Sequence, residues 1–319
     1  MLARLLPNRV RRTYLGGGRI DAFCGVQSAQ GSMPRPEDWL ASTVTAFNGT
    51  EEIEGEGLGR LEDGRLVKDA VGELPVLVKL LDADERLVIQ AHPTVPYARE
   101  HFGSPVGKTE CWYFLPGTAN DACVYLGFRP GITPERWKAA FEAQDGLLDL
   151  LHRVPVAAGD FVFVDGGVPH AIGGGCFMVE LQEPSDLMVV AERFTPSGRE
   201  IPERKMHCGL GWDEMFNVYS YEGVDYETLC RRYVRRQARG MIVGRPTTDK
   251  FSMHLLEANG SLRLDGASAV VVVVSGEGAA NGCAVRRGDR LVASGERAIE
   301  LSGNAAALVS FKEVSSAGQ

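Results

Sequence analysis

Four side chains carry donor atoms at spacings that suit a metal centre: Gln90, His92, Glu110 and His170. Gln90 and His92 are two residues apart at the end of an apolar run, Arg86–His92. Alternate residues of a strand face one way, so both point at the same place while Ile89 and Ala91 point away. Glu110 opens a second apolar run, Glu110-Cys-Trp-Tyr-Phe-Leu115, and His170 follows the turn Asp165-Gly-Gly-Val-Pro169. Two imidazoles, a carboxylate and an amide oxygen suit a hard or borderline divalent ion such as Zn2+, and a mixed N/O shell without thiolate marks a catalytic rather than a structural site. Lys108, two residues before Glu110, faces the same way and is a candidate acid/base or substrate ligand. His101, His152, His207 and His254 have no such partners in sequence and are assigned to packing or surface.

The elements that must hold these residues are strands. Leu74–Leu81, Ala122–Phe128, Asp160–Val164, Phe177–Gln182 and Asp186–Glu192 are short, rich in β-branched and aromatic residues, and bounded by Gly, Pro and Asp. After residue 240 the pattern continues with Met253–Glu257, Ala267–Ser275, Arg290–Ala293 and Ala306–Phe311. Many short strands predict β-sandwiches or barrels. Helices are few. Thr133 caps one that begins with Pro134, and residues 130–152 are expected to form a small helical insertion. Asp225 caps a second, expected to run to Gln237. Ala158-Gly-Asp-Phe-Val-Phe-Val164 and Arg287-Gly-Asp-Arg-Leu-Val-Ala293 are two Gly–Asp turns leading into strands, which suggests a fold repeated in tandem. The expected division is 1–240 for the metal-binding unit and 241–319 for a second, metal-free half, since Ile299 stands where its histidine would fall.

The chain has 319 residues, enough to bury a core unaided, so a bound metal would serve chemistry rather than folding. A net charge of −8 argues against nucleic-acid or anionic-membrane partners. The one basic stretch, Arg231, Arg232, Arg235, Arg236 and Arg239, reads as a solvated helix face. Seven cysteines without a Cys-x-x-Cys pair fit a reducing cytoplasm, and the longest apolar run is too short to span a bilayer. A monomer or homodimer is expected.

The spacings also match the cupin superfamily. A glycine, Gly117, lies seven residues after Glu110, and Gly159, Asp165, Gly167 and His170 follow the second cupin motif with Asp165 in place of its proline. Leu77-Val-Lys-Leu-Leu-Asp-Ala-Asp84, Gln90-Ala-His-Pro93, Gly107-Lys-Thr-Glu-Cys-Trp-Tyr113, Gly159-Asp-Phe-Val-Phe-Val164, Pro169-His-Ala171 and Glu180-Leu-Gln-Glu-Pro-Ser-Asp186 together resemble the class I mannose-6-phosphate isomerases in their short bacterial form, over roughly residues 70–190. The resemblance implies a mainly β double cupin, with two β-sandwich or jelly-roll barrels in tandem and a helical insertion. It implies one Zn2+ on Gln90, His92, Glu110 and His170, a small-molecule sugar phosphate as partner, and aldose–ketose isomerisation through a cis-enediol. It places Glu180 and Glu183 near the pocket, with Glu183 as a candidate substrate contact.

The sequence departs from the family at its catalytic arginine, which falls at Val190. Arg193, three positions on, is the first candidate to replace it as catalytic and substrate-binding residue, with Arg199 the second. This departure leaves open an isomerase or epimerase of another sugar, or a sugar-binding regulatory cupin without turnover.

Overall fold

The computed structural model describes residues 1–26, 35–47 and 53–314. Among these the chain forms two β-barrels in tandem. In the first, a seven-stranded sheet faces a five-stranded one. The larger runs Val234–Arg235, Phe161–Val164, Glu110–Phe114, Phe177–Gln182, Leu77–Asp82, Glu37–Leu40 and Arg9–Val10. The smaller runs Val189–Val190, Gln90–Ala91, His170–Ile172, Cys123–Phe128 and Leu151–Pro155. All pairings are antiparallel.

Strand alternation sorts the side chains of the larger sheet into two layers. Trp112, Phe114, Val162, Val164 and Met178 pack inside the first barrel. Cys111, Tyr113, Phe161, Phe163, Val179 and Leu181 point the other way, into an apolar layer shared with Ile242, Phe251, Val270 and Leu308 of the second barrel. Glu110 is on the Trp112 side, which is why a carboxylate enters the barrel interior.

The helical insertion sits between two strands that pair with each other, Cys123–Phe128 and Leu151–Pro155. Thr133 accepts a hydrogen bond from the Arg136 N–H and Pro134 opens the helix Pro134–Ala143, which buries Trp137 and Phe141. Asp225 caps the later helix through the Thr228 N–H, but that helix spans only Tyr226–Tyr233. Val234–Arg235 instead pairs with Phe161–Val162, since a sheet edge satisfies its backbone and a longer helix would leave that edge bare. The arginines of this stretch are engaged locally: Arg232 pairs with Glu222, Arg236 with Asp160 and Arg239 with Glu257.

The second barrel sets a six-stranded sheet against a four-stranded one. The expected division needs one correction, because Leu2–Arg4 pairs with Arg290–Ala293 and so belongs to the second barrel. The chain begins in one barrel and crosses to the other within a few residues, a long-range pairing that local patterning cannot reveal. Gly159 and Gly288 adopt φ of +88° and +89° at their Gly–Asp turns, a conformation that favours glycine, so both barrels enter a strand by the same device. The second barrel is filled by Val271, Leu291, Ile299, Leu301 and Val309, and Ile299 is fully buried. No helix among the described residues is long and apolar enough to cross a membrane.

Across the junction of the barrels, Arg290 of the second reaches Asp38 of the first, Nη1 to Oδ2 2.5 Å, and the aspartate side chain has no solvent contact. Replacing Arg290 by Met leaves a buried carboxylate without its cation. The expected cost is about 3–5 kcal/mol, read as a lower midpoint in urea unfolding, and a change below ~1 kcal/mol would mean the pair is not holding the junction.

Candidate metal centre and its cavity

Gln90 and His170 are direct cross-strand partners, so their side chains stand side by side on the inner face of the smaller sheet. His92 leaves that strand two residues later on the same face. Its loop is clamped on two sides: the Lys108 N–H donates to the Pro93 carbonyl at 3.1 Å, and the Gly167 N–H donates to the His92 carbonyl at 2.7 Å. Gly107 allows the approach, because a β-carbon there would lie 2.6 Å from the Pro93 oxygen. Glu110 arrives from the opposite sheet.

The four sequence-predicted donors converge. His92 Nε2 lies 3.1 Å from Glu110 Oε2, and His170 Nε2 lies 3.3 Å from Glu110 Oε1. The donor atoms of the three residues lie within 4.8 Å of one another, and all three side chains are fully buried. The Gln90 amide nitrogen donates to His170 Nε2 at 3.3 Å. Each imidazole donates its Nδ1–H to a backbone carbonyl, His92 to Leu187 at 3.0 Å and His170 to Val168 at 2.9 Å. A carbonyl only accepts, so Nε2 carries the free lone pair in both rings and faces the carboxylate. Burial, reinforced by the Lys108 charge, pushes His92 down to about 4, and burial also lowers His170. Both rings are therefore neutral near pH 7. Burial alone would raise the Glu110 carboxyl, but Lys108 and the two imidazoles outweigh it and hold it well below the usual carboxylate range.

Lys108 Nζ is 3.0 Å from Glu110 Oε2 and 2.9 Å from His92 Nε2. Even so, neither Glu110 oxygen has a hydrogen bond of proper geometry. Lys108 compensates the Glu110 Oε2–His92 Nε2 side, while on the other side Glu110 Oε1 and His170 Nε2, both lone-pair bearers, face each other at 3.3 Å. The residues thus fit a divalent metal, held by His92, Glu110 and His170, with Gln90 beside them.

Gln90 and Lys108 also line a narrow cavity, together with Arg12, Glu37, Lys79, Glu180 and Lys205. Its floor is an ionic network absent from the sequence-based expectations except for Glu180. Arg12 donates to both oxygens of Asp186 (2.7 and 3.0 Å) and to Glu37 (3.0 Å). Glu37 also accepts from the Tyr14 hydroxyl and the Trp39 indole, each at 2.6 Å. Lys79 pairs with Glu180 at 2.7 Å, which accepts from the Trp112 indole at 3.2 Å. Lys205, on the short helix Glu203–His207, lines the same cavity.

Two expected contacts fall elsewhere. Arg193 is exposed, with its guanidinium carbon 5.3 Å over the Phe141 ring, because the strand Val189–Val190 ends early and the chain turns outward onto the helical insertion. Arg199 pairs with Glu85 at 2.6 Å and does not line the cavity. Val190 does line it, directly opposite Gln90. Glu183 is a clasp: its carboxylate accepts the Thr109 N–H at 3.0 Å and fixes the start of the Glu110 strand rather than facing the cavity.

A tandem cupin with a buried histidine–carboxylate centre inside its first barrel is thus the class that fold and site define. The comparisons with known proteins narrow it. No family model matches the chain. It is 29% identical over 224 residues to the mannose-6-phosphate isomerase of Streptococcus mutans, covering 68% of this chain and 67% of that protein. It is 41% identical over 112 residues to mannose-6-phosphate isomerase ManA of Bacillus subtilis, a match spanning 35% of each chain. The crystal structure of the mannose 6-phosphate isomerase from Bacillus subtilis superposes with a TM-score of 0.74 at 20% identity, covering 97% of this chain and 99% of that one. A zinc-bound mannose 6-phosphate isomerase gives 0.71 at 16% identity, covering 98% and 100%. The chain is thus similar to mannose-6-phosphate isomerases over about two thirds of its length and shares their fold over nearly all of it.

Two measurements check the site. His170→Ala should reduce bound zinc from one equivalent to a small fraction, by plasma mass spectrometry after dialysis, while the far-ultraviolet dichroism stays unchanged; a full equivalent would remove His170 from the ligand set. The floor network predicts acid sensitivity. Burial alone would raise Glu37, but Arg12 and then Lys79 lower it from 4.5 to about 2, and Arg12 likewise holds Asp186 below its usual value. A depressed carboxyl contributes stability above its unfolded pKa and loses it as pH falls toward the folded value. Tm should therefore drop steeply between about pH 4.5 and 2. Arg12→Met should cost about 3–5 kcal/mol at pH 7 and flatten that dependence.

Proposed function

We propose that this chain is a metal-dependent aldose–ketose isomerase that interconverts mannose 6-phosphate and fructose 6-phosphate. The observation that carries this reading is the convergence of Gln90, His92, Glu110 and His170 beside a lysine-lined cavity. Support comes from relatives in Streptococcus mutans and Bacillus subtilis named for this activity. The donor set suits zinc, the metal bound in a structural neighbour.

The hard step is moving a proton between two adjacent carbons, one of them a carbonyl. When bound, the metal supplies Lewis acidity that polarises the carbonyl and offsets charge developing on its oxygen. The protein's part is to position and to exchange the proton. Lys108 lines the cavity from beside the ligand set, and its four-carbon stem can follow a proton from one substrate carbon to the next. The Glu183–Leu187 segment keeps this geometry in register. Glu183 holds the Thr109 amide, Ser185 Oγ donates to the Gly107 carbonyl at 2.7 Å, and the Leu187 carbonyl orients His92. Walls of Leu81, Leu87, Val88 and Ile201 limit water around the reacting carbons.

A second reading, isomerase or epimerase of a different sugar phosphate, is favoured by one observation: Val190 presents an alkyl group beside Gln90, where the family resemblance places an arginine.

Zinc-loaded protein should interconvert the two phosphates, followed in a coupled assay, and lose activity on chelation. Lys108→Met should lower kcat by about 100-fold or more with little change in zinc content. Stoichiometric zinc without turnover of either phosphate would set this reading aside in favour of the second.

A further inference from the structure

The segment Glu183–Leu187 supports the metal centre at several points at once. Glu183 accepts the Thr109 N–H, Ser185 donates to the Gly107 carbonyl, Asp186 holds Arg12 of the floor, and the Leu187 carbonyl orients His92. Yet the segment lies just past the end of its own strand, Phe177–Gln182. The Glu183 N–H still donates to the Thr109 carbonyl at 3.0 Å, and there the ladder with the Glu110 strand stops. Something other than the sheet must fix where the chain goes next.

Gln182 supplies that constraint. It is the direct cross-strand partner of Glu110, so the two side chains stand on the same inner face. It has no solvent exposure. Its amide nitrogen donates to two carbonyls of the segment, Glu183 at 3.1 Å and Ser185 at 2.5 Å. The Glu183 carbonyl also accepts the Ser185 N–H at 2.7 Å across Pro184, so the turn is closed on itself and tied to the sheet through one amide. Carbonyls only accept, which fixes the amide nitrogen toward them and leaves Oε1 on the other side. That oxygen is buried with no hydrogen-bond partner among the described residues. A buried acceptor without a donor is destabilising, and a methionine of similar length would fill the space without it. What only the amide adds is its two N–H donors, and both are used on the turn.

The turn reaches the ligands from two sides. Through Leu187 it bears on Nδ1 of His92, and through Glu183 it bears on Thr109, the residue before Glu110. The orientation of a ligand imidazole depends on the partner of its other nitrogen, and disturbing that partner weakens metal binding. Gln182 does not line the cavity, so it acts through these residues rather than on a substrate.

Resting on the metal-dependent reading above, we propose that Gln182 is a positioning residue for the metal centre: its side-chain amide pins the Glu183–Ser185 turn and so sets His92 and Glu110 in the geometry the ion requires.

The test uses the full-length protein, stripped of metal and titrated with Co2+, whose visible absorption reports the geometry of its ligands. Gln182→Met should weaken binding of Co2+ and Zn2+ roughly 10- to 100-fold and alter the position or intensity of the cobalt bands. Glu183→Leu frees the Thr109 end of the same turn and should weaken binding too. The double variant should lose less than the product of the two factors, because both act through one turn. Should Gln182→Met not fold, Gln182→Leu takes its place. Unchanged affinity and unchanged bands in Gln182→Met, even with a lower Tm of the metal-free protein, would overturn the proposal and leave Gln182 a packing residue. Wild type that binds no cobalt would sink the metal centre and the proposal together. If Gln182→Met binds cobalt more weakly than wild type, yet zinc-loaded wild type does not isomerise mannose 6-phosphate, the positioning role stands and the isomerase reading falls.

Discussion

Glu110 is a carboxylate with no access to water, enclosed by aromatic and aliphatic side chains and faced by two imidazole lone pairs. Such a group cannot stay charged in a β-barrel unless the surroundings are built to compensate it. Much of the first barrel follows from that requirement. Lys108 is placed two residues upstream on the same face. His92 and His170 are turned by backbone carbonyls so that Nε2 points inward. Glycines at 107 and 166 let the loops close around the His92 segment. A cation among these donors converts their repulsion into binding, so the same arrangement that would burden an apolar core is suited to a metal.

The carboxylate-rich floor extends the same logic. Arg12 and Lys79 both lie 5.0 Å from the Trp39 ring and divide three carboxylates between them. Nearly every donor and acceptor there is satisfied, which makes the floor rigid and leaves specificity to the few groups that are not. The arginine nearest the cavity is thus spent on structure.

The two barrels show what one fold becomes with and without this burden. Both enter a strand through a glycine at φ near +88° followed by aspartate. The first fills its interior with ligands and ion pairs. The second fills the corresponding space with Val, Leu and Ile and turns its other face to the first, so the shared apolar layer stiffens the sheet that carries Glu110.

The amino-acid sequence determined what depends on local periodicity and short spacing. Gln90 and His92 share a face because they are two apart, Lys108 and Glu110 for the same reason, and the Thr133–Pro134 and Asp225 caps announce their helices. It also puts an apolar residue, Ile299, where the second half would carry its histidine. Tertiary structure alone decided which cations reach the cavity. Arg12 and Lys205 come from segments 193 positions apart and carry no local mark. Arg193 looked eligible by proximity, yet the early end of the Val189–Val190 strand sends it out to Phe141. Leu2–Arg4 likewise joins the far barrel. Periodicity tells which way a side chain points from its own strand. Where that strand lies relative to another, and whose carboxylate neutralises whose charge, is set by pairings between distant segments, and these exist only once the chain has folded.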